Sequence, residues 1–270
     1  MGTDRRVALR LLWTLNDSSA SIDEIARVAS ADPALTARVL AAANSPCHHR
    51  DCGTVATLPR AVQVLGSNTI RTFAATAALE LFAPDGSEPP SDALWLHSLT
   101  TAIAAADVAP YVGVSSSEAL TAGLLHDLGA ALLQRRHPQR FEELVHASSA
   151  TTIEKRMANE RRIFGTDHAR LGMELLAGMG LPKRIVDVAR DHHGADCTAA
   201  PMTRCVQIGE AVAHVIDHVR SDSYADLILR LRASAINTSL AGVLVERVIA
   251  QRVAMLSFLA TSPAARPRTR

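Results

Sequence analysis

The residues best suited to chemistry lie near the middle of the sequence, in the stretch Gly123-Leu-Leu-His126-Asp127-Leu-Gly129. Neutral imidazole and carboxylate are ligands that suit divalent metals such as Fe, Mn, Ni or Zn. Adjacent side chains point apart within a helix, but they can converge at its irregular end. The pair His126-Asp127 therefore indicates a metal-binding position at a helix end. The same dipeptide also fits an aspartate that starts the next helix beside a histidine bonded to a carbonyl.

The composition predicts an all-α protein. Hydrophobic residues make up 48% of the 270 residues and aromatics only 3%, so the core is built from Ala, Leu, Val and Ile, which favour closely approaching helices. The formal charge of +1 gives no excess positive charge to attract the phosphates of a nucleic acid. The few aromatic residues also disfavour binding of single strands by base stacking. Neither a signal peptide nor a run of roughly 20 apolar residues is present, which predicts a cytoplasmic protein without a membrane segment.

Breaker and capping residues divide the chain into lobes. Ser21 with Glu24 three residues later has the spacing of a capping box, and Asp32-Pro33 predicts the start of another helix. Pro84, Gly86, Pro89 and Pro90 mark the clearest internal boundary. The predicted organisation is an N-terminal helical lobe at 1–83, a connection at 84–90, a second lobe at 91–220, a C-terminal helical extension at 221–260 and a disordered tail at 261–270.

The four cysteines do not indicate a zinc site. The spacing of Cys47 and Cys52 matches no Cys-x-x-Cys knuckle, and Cys197 and Cys205 do not supply one either. We therefore predict free thiols.

A series of short motifs along the chain resembles the HDOD domain, in order and approximate spacing, over roughly residues 5 to 220. The motifs are Asp32-Pro33-Ala34-Leu35, Ala43-Asn44-Ser45, Ala61-Val62 with Leu65-Gly66, Trp95-x-His97-Ser98, the stretch around His126-Asp127, Phe164-Gly165-Thr166-Asp167-His168-Ala169 with Gly172, Gly180-Leu181-Pro182, and His192-His193. The resemblance implies a two-lobed helical fold whose second lobe is like that of the HD metal-dependent phosphohydrolases. It also implies a bacterial signalling protein, usually a non-catalytic one.

The resemblance further implies a ligand set for one or two divalent ions. The positions that match the metal ligands of the catalytic HD relatives are His97, His126, Asp127, His168, His192, His193 and Glu210, where Glu210 stands in place of the usual Asp. The remaining histidines match no motif and are interpreted as surface or capping residues: His48, His49, His137, His146, His214 and His218. Trp95 and Phe164 are interpreted as core residues beside the site.

Several departures weaken the case for catalysis. The lysine that often follows the His-Asp pair is Ala130, and Ala93 stands where an acidic residue would precede His97 by one helical turn. Gly194-Ala195-Asp196 follows the histidine pair, so the Gly-Tyr-Pro signature of cyclic-di-GMP phosphodiesterases is absent. An alternative to a metal site also stays open, in which the histidines hydrogen-bond across helix ends and complement helix dipoles.

The motifs and their departures from the family pattern leave two candidate functions open. The first is a regulatory HDOD protein that binds a signalling partner or a small nucleotide-like ligand in the groove between its lobes, with a retained metal site. The alternative is a dinuclear metal-dependent phosphohydrolase, a phosphodiesterase or nucleotidase, in which a metal-activated water attacks phosphorus.

Overall fold

All the regular secondary structure is helical over the residues described by the computed structural model, which are 5–17, 19–45, 53–80, 92–148, 152–194, 199–217 and 221–260. The helices are α1 (Arg5–Asn16), α2 (Ile22–Ala29), α3 (Pro33–Ala43), α4 (Leu58–Glu80), α5 (Asp92–Val108), α6 (Ser116–Leu125), α7 (Leu128–Arg136), α8 (Pro138–Ser148), α9 (Ile153–Phe164), α10 (His168–Gly178), α11 (Lys183–Asp191), α12 (Pro201–Asp217), α13 (Ser221–Ala233) and α14 (Leu240–Ala260), with a short 3₁₀ turn at Ala109–Val112. The predicted all-α class is confirmed. The predicted connection at 84–90 and the tail at 261–270 lie outside the described residues.

The predicted helix starts carry the expected caps. The Ser21 hydroxyl accepts a hydrogen bond from the Glu24 backbone N–H at 3.1 Å, and the Asp32 carboxylate accepts one from the Leu35 N–H at 2.6 Å. A break divides α4 at Gly66, whose φ of 72° lies outside the helical region, so α4 consists of two helical stretches that meet at a kink. The capping signals therefore determined these boundaries correctly to within a residue or two.

The second group of helices is built around α5, which packs against α6, α12 and α14. The backbones approach closely at glycines: a Cβ on Gly123 would lie 2.8 Å from Ala102 Cα, and one on Gly209 would lie 2.5 Å from the Thr101 carbonyl. Such close crossings require small residues and explain how a core with few aromatics is filled. They bring α5, α6 and α12 within side-chain reach of one another.

The N-terminal helices α1–α4 pack on each other and join this second group through Trp95. The Trp95 indole N–H donates to the Ala31 carbonyl at 2.7 Å, and the Arg6 guanidinium lies 5.0 Å from the indole centre. One continuous hydrophobic cluster contains residues from both groups and from α14. The interpretation of Trp95 as a core residue is therefore correct.

The C-terminal helix α14 docks on the second group through charged contacts as well as apolar ones. Arg252 reaches Asp217 at 2.6 Å and Arg247 reaches Asp107 at 3.0 Å. Among the described residues, no helix has the combination of length and apolar character that a bilayer span requires.

Candidate metal centre

The His126-Asp127 pair forms the break between α6 and α7. Leu125 ends α6, Leu128 begins α7, and Asp127 has left the helical conformation at φ −107° and ψ 24°. The break lets both side chains face the same interior, where His126 is 1% exposed and Asp127 is 8% exposed. The helix-end placement expected from the sequence is what the structure shows.

Two further helix ends bring in the other histidines. His168 begins α10 after Asp167, whose carboxylate accepts a hydrogen bond from the Arg170 backbone N–H at 2.9 Å. His192 ends α11, and His193 follows it. The imidazole centres of His168 and His193 lie 4.9 Å apart, and their Nε2 atoms lie 2.8 Å apart.

The histidines on α6 and α11 are held in one tautomer by backbone carbonyls. The Nδ1 atom of His126 lies 2.6 Å from the Gly123 carbonyl, and that of His192 lies 2.9 Å from the Ala189 carbonyl. A carbonyl can only accept, so each Nδ1 carries the proton and each neutral ring presents an unprotonated Nε2. Anchoring one ring nitrogen in this way is typical of metal-binding histidines.

Three buried acceptor atoms face this interior without a donor. They are His126 Nε2, His192 Nε2 and Asp127 Oδ1, none of which has a hydrogen-bond partner. Leaving a buried polar atom unsatisfied costs about 1–3 kcal/mol each. All three atoms are acceptors, so they cannot form hydrogen bonds with one another. A single cation can interact with all of them. The donor set therefore fits a divalent metal better than a network of hydrogen bonds.

His168 is anchored by a carboxylate that sequence reasoning missed. Glu160 of α9 is fully buried, and its Oε2 lies 2.6 Å from His168 Nδ1 and 2.9 Å from the His168 backbone N. Arg156 donates to the other carboxylate oxygen at 3.1 Å. A glutamate inside an otherwise charged amphipathic helix carries no motif, so only the packing of α9 against the start of α10 reveals its role.

Electrostatics keep three of the histidines neutral. Burial lowers the pKa of His126, and burial together with neighbouring imidazoles lowers the pKa of His192 and His193 well below the usual value. Burial also lowers the pKa of His168, but its hydrogen bond to Glu160 and the charges of Asp127 and Glu160 outweigh that effect, and the net shift is upward. Neutral imidazoles are the form that binds a metal.

Glu210 on α12 completes this interior. It is 7% exposed, and its Oε1 lies 3.4 Å from His193 Nδ1. Burial and the nearby Asp127 raise the pKa of Glu210 to about 8. Two neighbouring carboxylates, Asp127 and Glu210, repel each other when both are buried and ionised. A bound cation would compensate their charges, so their proximity favours a metal site.

His97 and His214 lie at the other side of the same interior. The His97 ring is 5.5 Å from the His126 ring and stacks on the His214 ring at 5.5 Å and 26°. His214, interpreted from the sequence as a surface or capping residue, lies half-buried in the last turn of α12, with a donor atom within 4.8 Å of those of His97 and Glu210. His137 and His146 are exposed as expected, and His48, His49 and His218 lie outside the described residues.

All seven residues predicted from the sequence therefore lie in one interior, and His214 and Glu160 join them. Four overlapping groups have donor atoms within 4.8 Å of one another: His168 with His192 and His193, His126 with His192 and Glu210, His97 with His126 and Asp127, and His97 with Glu210 and His214. Ala130, the position of the missing lysine, is fully buried. Phe164 is partly buried, packs against a small cluster that includes Ala130, and stacks on His137 with ring centres 5.3 Å apart.

Comparison with known proteins agrees with this architecture. The profile of the HDOD domain matches residues 1–195. The solved structure of the MmoQ response regulator from Methylococcus capsulatus is 25% identical and covers 91% of this chain and 97% of its own, with a TM-score of 0.73. A virulence factor from Campylobacter jejuni covers 94% of this chain and 93% of its own with a TM-score of 0.70, but at 13% identity it shows the fold alone.

A shorter similarity connects the chain to a larger protein. Ribonuclease Y 2 from Levilactobacillus brevis is 27% identical over 138 residues. The match covers 51% of this chain but only 21% of the ribonuclease.

Proposed function

The chain belongs to the HDOD domain family, and from this membership we propose that it is a regulatory signalling protein. It acts by binding an anionic ligand of nucleotide size, or an acidic segment of a signalling partner, in the groove between its helical groups. The buried histidine centre is retained as a metal site. The chain is also similar to a response regulator at 25% identity, which supports a signalling role.

The groove has the shape and charge that such a ligand requires. Its volume is about 340 Å³, within the usual range for small-molecule sites. It lies between α3 on one side and α7 and α10 on the other, and its lining combines an apolar floor with three arginines and no acidic residue. The lining residues are Ala34, Ala37, Arg38, Leu128, Leu132, Arg135, Arg136, Leu175 and Met179. Arginine suits phosphate and carboxylate groups because its planar donors bind them in pairs.

One structural connection carries this proposal. Helix α7 begins directly after Asp127 and lines the groove with its remaining length, about 12 Å along the helix. Helix α10 begins at His168 and lines the groove with Leu175 and Met179 near its end. Two of the helices that begin at donor residues of the metal centre therefore also form one wall of the groove.

The two helices are in backbone contact where they cross. A Cβ on Gly129 would meet the His168 carbonyl, and it would lie 2.6 Å from the Gly172 backbone N. Packed helices of this kind shift together and not independently. A change in the position of Asp127 or His168 is therefore transmitted to the groove wall, which links the metal centre to ligand binding.

The residues that would hold a metal are His126, Asp127, His168, His192 and His193, with Glu210 at the edge. A bound divalent ion would supply positive charge to two buried carboxylates and fix the ends of three helices. Five of these six residues are less than a tenth exposed, so a substrate has little access to the centre. This burial favours a structural and regulatory role over turnover.

The experiment is calorimetric titration of the Mn²⁺-loaded protein with cyclic dinucleotides and guanosine nucleotides, comparing Arg136→Ala with Arg140→Ala. Arg136 is exposed and lines the groove, and Arg140 is an exposed arginine that does not. Removing one charge-assisted contact costs about 1.5–3 kcal/mol, so Arg136→Ala lowers affinity roughly 10-fold or more while Arg140→Ala leaves it unchanged. Equal affinities of both variants and the wild type would place the ligand elsewhere. Binding by none of these nucleotides would contradict the small-ligand form of the proposal.

The phosphohydrolase alternative is supported by the near-complete donor set. Against it stand the burial of the centre and the replacement of the usual lysine by Ala130, because loss of one electrostatic donor costs about 10²–10³ in rate. We expect negligible hydrolysis of cyclic dinucleotides and simple phosphate esters in steady-state assays with Mn, Fe or Ni supplied. Ordinary enzymatic turnover that is lost in Asp127→Ala would establish the enzyme and refute the regulatory proposal.

A further inference from the structure

The groove between α3 and the wall formed by α7 and α10 is lined by side chains of two chemical kinds. Six are aliphatic or thioether groups and three are arginines. A nucleobase is recognised by stacking on a flat group and by hydrogen bonds to the donors and acceptors along its edge. Arginine can stack on a base and donate to it, but none of the described lining residues has a side-chain oxygen or ring nitrogen that accepts from an exocyclic amino group. The lining therefore suits an apolar surface with negative charge beside it better than a base.

The positive charges lie on both walls of the groove. Arg38 belongs to α3, whereas Arg135 and Arg136 belong to the last turn of α7 on the opposite wall. Arg136 is exposed, and it forms no ion pair with any described residue. A nucleotide concentrates its charge at the phosphates, at one end of the molecule. Arginines on two walls fit better an occupant with acidic groups along both sides of an apolar strip.

The apolar lining follows the helical period. Leu128, Leu132 and Arg135 form one row along α7, which extends about 12 Å, or about two turns. Leu175 and Met179 are four residues apart at the end of α10, and like Leu132 they are half-buried. Rows of side chains at this spacing form ridges between which the side chains of another helix can pack.

The opposite wall allows a close approach. Helix α3 presents Ala34 and Ala37, which are buried and carry only a methyl group each. Short side chains on one helix reduce the distance at which a second helix can pack against it. A helix laid in the groove can therefore contact α3 while its apolar side chains reach the row on α7.

We propose that the groove binds an amphipathic acidic helix of a partner protein. Its apolar stripe packs on Leu132, Leu175 and Met179, and Asp or Glu residues on both sides of that stripe pair with Arg38 and Arg136. This inference rests on the proposed function and selects its partner form. Binding of amphipathic helices in apolar grooves is a common mode of peptide recognition, and an adaptable methionine suits it. The arginines orient the helix and exclude basic partners.

The test begins with selection from a random peptide library displayed on phage, against the Mn²⁺-loaded full-length protein. The peptides are long enough for about four helical turns. We expect the selected peptides to carry Leu, Ile or Met at positions i, i+4 and i+7 with Asp or Glu beside them. Synthetic copies are then titrated by fluorescence anisotropy, and circular dichroism measures the helix that forms on binding.

Variants then locate the bound peptide. Arg136→Glu replaces an attraction by a repulsion and is expected to weaken binding about 10-fold or more, whereas Arg136→Lys keeps the charge and most of the affinity. Leu132→Ala should also weaken binding, because it shortens the apolar row. Arg232→Glu is the matched control, since Arg232 is exposed on α13 and does not line the groove. Circular dichroism confirms that each variant is folded.

The outcomes separate this inference from the proposed function. Selected peptides without the acidic amphipathic pattern, or no selected peptide at all, overturn the inference. Acidic peptides that bind Arg136→Glu as tightly as the wild type overturn it as well. A cyclic dinucleotide that binds through Arg136 while no acidic helix binds also overturns it but leaves the proposed function intact. A groove that binds neither overturns both.

Discussion

Replacing Glu160 with Gln tests whether the buried centre is built for a metal. Glu160 is fully buried, and it contacts the His168 ring, the His168 backbone and Arg156. Glutamine has nearly the same shape, but it has no charge and presents an amide donor on one side. We therefore expect His168 to keep its place while its charge-assisted anchor is weakened.

The magnitude follows from these contacts. Loss of a partner that anchors a metal-binding histidine commonly lowers metal affinity 10- to 100-fold, which is about 1.4–2.7 kcal/mol. At fixed metal concentration the metal-dependent stabilisation falls by the same amount. With about 2–4 °C per kcal/mol for a chain of this size, the metal-induced rise in Tm shrinks by about 3–11 °C.

The expected difference between the variant and the wild type also depends on pH, through the pKa of His168. Glu160 raises this pKa, so in the wild type a proton competes with the metal for the His168 ring. Glu160→Gln relieves this competition and offsets part of the loss of affinity, most strongly at low pH. The difference between variant and wild type is therefore expected to grow as the pH rises from 6 to 8.

The assay is thermal unfolding with Mn²⁺ and with chelator at several pH values. Glu174→Gln is the matched control, because Glu174 lies on α10 and makes only a half-exposed contact with Arg170 at 2.9 Å. Circular dichroism confirms that both variants remain folded. A folded Glu160→Gln protein with the wild-type metal-induced shift at every pH would refute the assignment of Glu160 as a positioning residue for a metal ligand.

Three further predictions concern the fold. Gly129→Ala is expected to lower the free energy of unfolding by about 2 kcal/mol or more in chemical denaturation, because the added Cβ meets the His168 carbonyl; wild-type stability would show that α7 and α10 can separate. Trp95→Phe leaves the Ala31 carbonyl without its donor and is expected to cost about 1–3 kcal/mol, whereas an unchanged stability would mean that the two helical groups need no such link. The buried Cys205, whose pKa is raised to about 12, is expected to resist alkylation at pH 8 until the protein unfolds, as peptide mapping would show.

The sequence by itself was sufficient for the local structure. The Ser21 and Asp32 caps and the break at His126-Asp127 depend on neighbours within a few residues, so their signals can be read directly from the chain. The ordered motifs also identified the family and the seven donor residues that the structure brings together. Gly66 likewise divides α4 into two helical stretches through its positive φ, a local effect of the glycine itself.

Only the tertiary structure decided which residues outside the motifs belong to the centre. Spacing of four residues placed His214 and Glu210 on one face of α12, but which face meets α5 depends on the crossing of two helices at Gly209. Glu160 reaches His168 because α9 turns back at Gly165, whose left-handed φ of 77° ends that helix. The groove likewise joins α3 to helices about a hundred residues away in sequence. Such contacts depend on how apolar faces pack between distant segments, and no local pattern of residue types specifies that arrangement.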